Sequence, residues 1–101
     1  MLDQVTHATF AEVLGGSFQM EVAPGRTTEA KLIEVNPLGQ GRAPGASDRR
    51  EPFSLLFRAP PGLALAQCIY ALEHPKLGRL DVFLVPIRQD SEGLVLEAVF
   101  N

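Results

Sequence analysis

The links between the last three apolar stretches of this chain are short. Residues 74–78 (HPKLG) join the stretch 67–74 to the stretch 79–87, and Ser91-Glu92-Gly93 joins that to 94–100. A parallel crossover needs about a dozen residues or more to carry the chain back to the same end of a sheet. Neither link has them. The three stretches must therefore pair antiparallel, and a fold built around them is mainly β.

The upstream half carries the same period of two. Phe18, Met20 and Val22 alternate with Gln19 and Glu21, Pro24-Gly25 signals a turn, and residues 28–35 read as a return strand, so a hairpin is expected. Phe53, Leu55 and Phe57 alternate with Ser54, Leu56 and Arg58. Pro60-Pro61-Gly62 ends that strand, because proline has no N–H to give to a ladder. One short helix precedes the strands. Thr9-Phe10-Ala11-Glu12 has the form of a capping box, Phe10, Val13 and Leu14 fall on one stripe, and Gly15-Gly16 is the stop signal. A helix of about two turns is not stable alone, so its stripe must rest on the sheet. The runs RLDVFLVPI and GLVLEAVF are apolar on both faces and are expected to be central, and Cys68 is expected to be a buried, inert thiol. Phe18, Phe53, Phe57, Phe83 and Phe100 are the expected core aromatics. The architecture expected is a single mainly β domain over 1–101. It has about six mostly antiparallel strands in a small barrel or roll, plugged by one short N-terminal helix, with a two-sheet sandwich as the alternative.

One segment has no strand or helix pattern. Residues 36–51, NPLGQGRAPGASDRRE, are rich in glycine, proline and charge. Irregular loops of this length are uncommon in compact domains and are often functional. Arg42, Asp48, Arg49, Arg50 and Glu51 are the candidate partner-contact residues there, since guanidinium forks suit carboxylate or phosphate groups. The simpler reading is that RRE is the solvated lip of the strand that follows, where charge discourages edge-to-edge association. Gly39, Gly41 and Gly45 do not make a dinucleotide fingerprint. Their spacing is wrong, and no helix opens after them to receive a phosphate.

Composition narrows the function classes. A net charge of −3 argues against nucleic-acid binding and against attachment to an anionic membrane surface. No apolar run has the length of a membrane helix. Met1-Leu2-Asp3-Gln4 shows no basic and then apolar leader pattern, so a cytoplasmic location is expected. With one cysteine, no intrachain disulfide can form. His7 and His74 are the two histidines, and neither has the cluster of further ligands a metal site needs; His74 is expected to bond the backbone of its own turn. Ser54 lacks a nucleophile elbow, and Glu34, Glu73 and Glu97 sit where solvent-facing strand residues would. No catalytic, metal or cofactor-binding residues are expected.

The wording of the chain resembles a family of small uncharacterised bacterial domains of about this length. The likeness rests on Thr6-His7-Ala8 with Phe10, Leu14-Gly15, and Glu51-Pro52-Phe53-Ser54-Leu55-Leu56-Phe57. It continues in Tyr70, Leu72, His74-Pro75, Gly78, Phe83-Leu84-Val85-Pro86 and the ending Glu97-Ala98-Val99-Phe100-Asn101. It covers nearly the whole chain outside residues 36–48 and implies no catalytic residues. It also implies company with proteins that have phage-tail-collar-like domains. The function expected is a non-enzymatic interaction or assembly module with a protein partner, with self-association through a sheet edge as a further expectation. A small-ligand carrier using the barrel interior is the alternative.

Overall fold

The computed structural model describes residues 7–37 and 52–100. Its elements are α1 (His7–Ala11), β1 (Ser17–Ala23), β2 (Arg26–Pro37), β3 (Phe53–Ala59), β4 (Cys68–His74), β5 (Gly78–Asp90) and β6 (Gly93–Phe100). The strands form a closed barrel in the order β1-β2-β3-β6-β5-β4, and every neighbouring pair is antiparallel. The barrel expectation holds and the sandwich does not.

The order follows from two meanders. Tight turns join β1 to β2 through Pro24-Gly25, β4 to β5 through residues 75–77, and β5 to β6 through Ser91-Glu92. Glycine with positive φ completes two of them, Gly25 at +74° and Gly78 at +76°, where a Cβ would be strained. The halves meet along β3–β6 and β1–β4. Since β3 and β4 stand opposite each other in the ring, residues 60–67 cross one end of the barrel, and Leu63 and Leu65 pack down on the core from there. The other end is filled by α1. Phe10 packs beside Phe53 and Phe100, with ring centroids 5.9 and 5.6 Å away, and those two rings stack on each other at 4.7 Å.

Between these ends the interior is full. Phe18, Met20, Leu32, Phe53, Leu55, Phe57, Leu72, Leu84 and Leu96 have no accessible surface. A void large enough for water would appear as accessible surface on its lining, so none borders these side chains. Each contributes about 1.5–3 kcal/mol of burial. Phe18 and Phe57 add an edge-to-face contact at 5.3 Å.

Several expectations are corrected. α1 ends at Ala11 and Thr9 lies inside it, so Thr9-x-x-Glu12 is not its capping box. The chain then turns before the helical stripe reaches Leu14, which is 52% exposed. The Gly15-Gly16 pair is a clasp more than a stop. The Gly15 N–H donates to the Leu32 carbonyl at 2.8 Å and the Leu32 N–H donates to Gly16 at 2.9 Å, tying the helix to β2. Phe83 points outward and is 51% exposed, and Phe10 takes its place among the core rings. Leu80, Val82 and Leu84 fix the inward parity of β5, which puts Phe83 on the same wet face as Asp81. So β5 is not covered on both faces, whereas β3 and most of β6 are. Cys68 has the inward parity of Tyr70 and Leu72, but it opens β4 at the barrel rim and is exposed. β2 runs through Asn36 and Pro37, two residues into the segment expected to be irregular.

Candidate functional site

The barrel closes on its weakest seam. β1 and β4 pair only through Gln19, Met20 and Glu21 with Glu73, Leu72 and Ala71. Toward the rim, Val22 and Ala23 stay in β1, and Cys68, Ile69 and Tyr70 stay in β4, with no pairing across the seam among the described residues. Each set is held from its far side, Ala23 by Arg26 and the β4 trio by Leu84, Phe83 and Val82. The cause is local. The register of β1 against β2 shifts between Glu21 and Ala23, and an irregularity of this kind bends a strand away from its line. Pro24 then turns the chain toward β2.

The strands diverge over an open groove of about 340 Å³, walled by Val22, Ala23 and Pro24 on one side and by Ile69 and Ala71 on the other. It runs on along the outer face of the seam. A second hollow shares Glu21, Ala71 and Arg79 with it and adds Gln19 and Glu73. A third shares Gln19 and Glu73 and reaches His74 and Pro75. The rim end is apolar and the middle is acidic. Arg79 is spoken for, its Nε 3.4 Å from Asp81 Oδ1. Glu21 and Glu73 are both exposed, with no cation in ion-pair range among the described residues.

The rim end is held in place by Tyr70, whose hydroxyl donates to the Ala66 carbonyl at 2.5 Å. Burial, and then the neighbouring Cys68 thiol, push its phenol up to about 12, so it stays a donor at any physiological pH. His74 Nδ1 accepts from the Lys76 N–H at 3.0 Å and the ring packs on Phe18 at 4.8 Å, as a turn histidine does. No group of three or more His, Cys, Asp or Glu capable of holding a metal occurs among the described residues.

A second polar cluster lies at the β5–β6 turn. Asp90 Oδ1 accepts from the N–H groups of Glu92 and Gly93, both at 3.0 Å, while its Oδ2 is 3.2 Å from Arg58. Glu92 flanks the same guanidinium at 3.3 Å. Burial, the largest single influence on Asp90, acts upward. It is outweighed by the two N–H donors and by Arg58, which together hold the carboxyl below its ordinary 3.8. A carboxylate favoured in the folded state stabilises it above the unfolded pKa, and that contribution is lost as pH falls through the lower folded value. Asp90→Asn keeps the turn acceptor and removes the charge. It is expected to lower the urea midpoint at pH 7, and the gap to the parent should close as the pH is taken well below 3.8. A gap that persists at pH 2 would mean the ion pair is not its source.

The residues singled out from the sequence, Arg42, Asp48, Arg49, Arg50 and Glu51, lie outside the described residues. The strands that flank them, β2 and β3, end and begin at the α1 end of the barrel. The groove was not anticipated. Glu21 and Glu73 were legible as wet strand positions, but nothing local says that β1 and β4 adjoin. A family model described as a domain of unknown function, DUF6916, matches residues 5–100. No curated protein and no solved structure matches the chain.

Proposed function

We propose a role for a chain that belongs to the DUF6916 family of domains of unknown function: it is a non-enzymatic interaction module, a part that docks a protein partner within a larger assembly. The observation that carries this reading is the pairing of Ile69 with Phe83. These are direct cross-strand neighbours on the outer face, 66% and 51% exposed, in a domain whose interior is already full. Val99 on the adjoining β6 is also exposed. Contiguous apolar surface outside a finished core marks contact sites. The filled interior also favours this reading over a carrier that would hold a small ligand inside the barrel. The resemblance to companions of phage-tail-collar-like proteins supports a bacterial, tail-like or appendage assembly as the setting. The absence of any helix long and apolar enough to cross a membrane, among the described residues, is compatible with cytoplasmic synthesis of such a part.

The test is affinity capture from a lysate of the native host, read by mass spectrometry. The baits are the intact chain, Phe83→Lys, and a deletion of residues 39–48. A partner retained by the intact chain and lost with Phe83→Lys is the expected result. Loss on the deletion alone would move the contact to the segment holding Arg42 and Asp48. No partner on any bait overturns the reading.

A further inference from the structure

We propose that the groove along the β1–β4 seam receives an extended, basic segment of the partner, added as a strand on the rim part of β4. This rests on the interaction reading above and gives it a site and a ligand chemistry.

Three independent features converge. The first is the backbone. β4 pairs with β1 over Ala71, Leu72 and Glu73, then continues through Cys68, Ile69 and Tyr70 with nothing across the seam among the described residues. An unpaired stretch of strand presents N–H and C=O groups at ladder spacing, which another chain can complete. Other stretches among the described residues are also unpaired on one side, such as Arg26–Ala30 of β2 toward β3 and Ala98–Phe100 of β6 toward β5. This one is set apart by the groove that opens beside it. The second is shape. Three hollows share residues end to end from Val22 and Ile69, past Glu21 and Ala71, to Glu73 and His74. That is a channel for an extended chain and not a pocket for a compact ligand. The third is charge. Glu21 and Glu73 flank the middle of the channel, and neither is in an ion pair among the described residues. Arg79, the cross-strand neighbour of Glu73, pairs with Asp81 instead, so three carboxylates stand against one guanidinium along it. The complement is a segment with Lys or Arg at the positions over Glu21 and Glu73. An apolar side chain on it would rest against Val22, Ile69 and Ala71. Charge of this kind selects the partner, while backbone pairing and the apolar contact hold it.

The probe is a synthetic pentapeptide of alternating lysine and valine, titrated into the ¹⁵N-labelled full chain and followed by amide chemical shifts. The expected result is saturable shifts at Gln19, Glu21, Ile69, Ala71 and Glu73, with a dissociation constant below about 1 mM. A glutamate–valine peptide should give none. The lysine–valine peptide N-methylated at its central residues should bind at least tenfold more weakly, because methylation removes the donors a ladder needs. The double variant Glu21→Lys/Glu73→Lys should weaken binding at least tenfold. Glu73→Gln, which changes no shape, should show the same trend should the double variant melt early. Equal binding of the acidic peptide, indifference to N-methylation, or shifts confined to another face would each overturn the proposal. So would a groove filled by a second copy, seen as a dimer in light scattering that Glu21→Lys/Glu73→Lys abolishes. A host partner captured equally by the parent and the double variant would remove the groove while leaving the interaction module standing. Failure of the intact chain to capture any partner would remove the module itself.

Discussion

Phe53→Ala is expected to cost about 3–5 kcal/mol of unfolding free energy, the range for truncating a fully buried phenylalanine. The ring has no exposed surface and lies parallel to Phe100, with an interplanar angle of 5° and centroids 4.7 Å apart. Phe10, the one phenylalanine that α1 contributes, packs against the flank of both stacked rings. Truncation therefore leaves a hole where helix, β3 and β6 meet, and a helix of five residues has no stability of its own with which to follow the collapse. A domain of this size holds about 5–15 kcal/mol in all, so the variant should be partly unfolded at 37 °C. Phe53→Leu keeps much of the volume and should lose less than half as much. Urea titrations of the three proteins, followed by far-UV circular dichroism, give the comparison. A loss below about 1.5 kcal/mol for Phe53→Ala would mean that the stacked rings are not a structural keystone of this end.

Gly93→Ala should be as damaging, through the backbone. Gly93 opens β6 with φ at +147°, and a Cβ built there would lie 2.0 Å from the Ala59 carbonyl oxygen. That oxygen is main chain in the neighbouring strand and cannot swing aside. β3 and β6 would have to separate at the Ala59–Leu94 end of their ladder. The Gly93 N–H that Asp90 holds would be disturbed with it. A loss of about 3 kcal/mol or more is expected, at the upper end of overpacking costs. Gly25→Ala is the control. Its φ of +74° lies near the left-handed region that alanine reaches at a cost, and nothing lies within 4 Å of the added methyl. Only the left-handed backbone cost of about 1–2 kcal/mol should appear. Equal losses at the two positions would show that the close approach of β3 and β6 contributes nothing.

Short-range information was legible and long-range information was not. The Pro24-Gly25 hairpin, the His74–Gly78 turn and the Ser91-Glu92-Gly93 turn are written in adjacent residues, and all three stand. Parity was readable where a polar residue marks the wet face, as Gln19 and Glu21 do in β1. It is ambiguous in β5, where Arg79 and Asp81 mark the wet face but Phe83 continues it with an apolar side chain. Burial at a strand end depends on what lies beside it, and nothing near Cys68 in sequence reports that β1 pairs with β4 only as far as Ala71. Leu14 failed because the helix stops three residues earlier, so its period never reaches that position. The seam groove needs β1 and β4 to be neighbours. That follows from closure of the ring, a property of all six strands together.

The crossover of residues 60–67 has a consequence for synthesis. It is the sole covalent link between two three-stranded halves, each continuous along the chain. On the ribosome, β1, β2 and β3 emerge first, and β3 is a strand that the finished barrel covers on both faces. Its ladder partner β6 comes some forty residues later, a wait of about 2–8 s at ordinary translation rates. During that interval Phe53, Leu55 and Phe57 have no far-side strand, and the nascent half offers a sticky template to other chains. Pro60-Pro61, directly after β3, blocks extension of any such pairing in one direction. Yield in a cell would then be governed by chaperone supply during those seconds more than by the stability of the finished barrel.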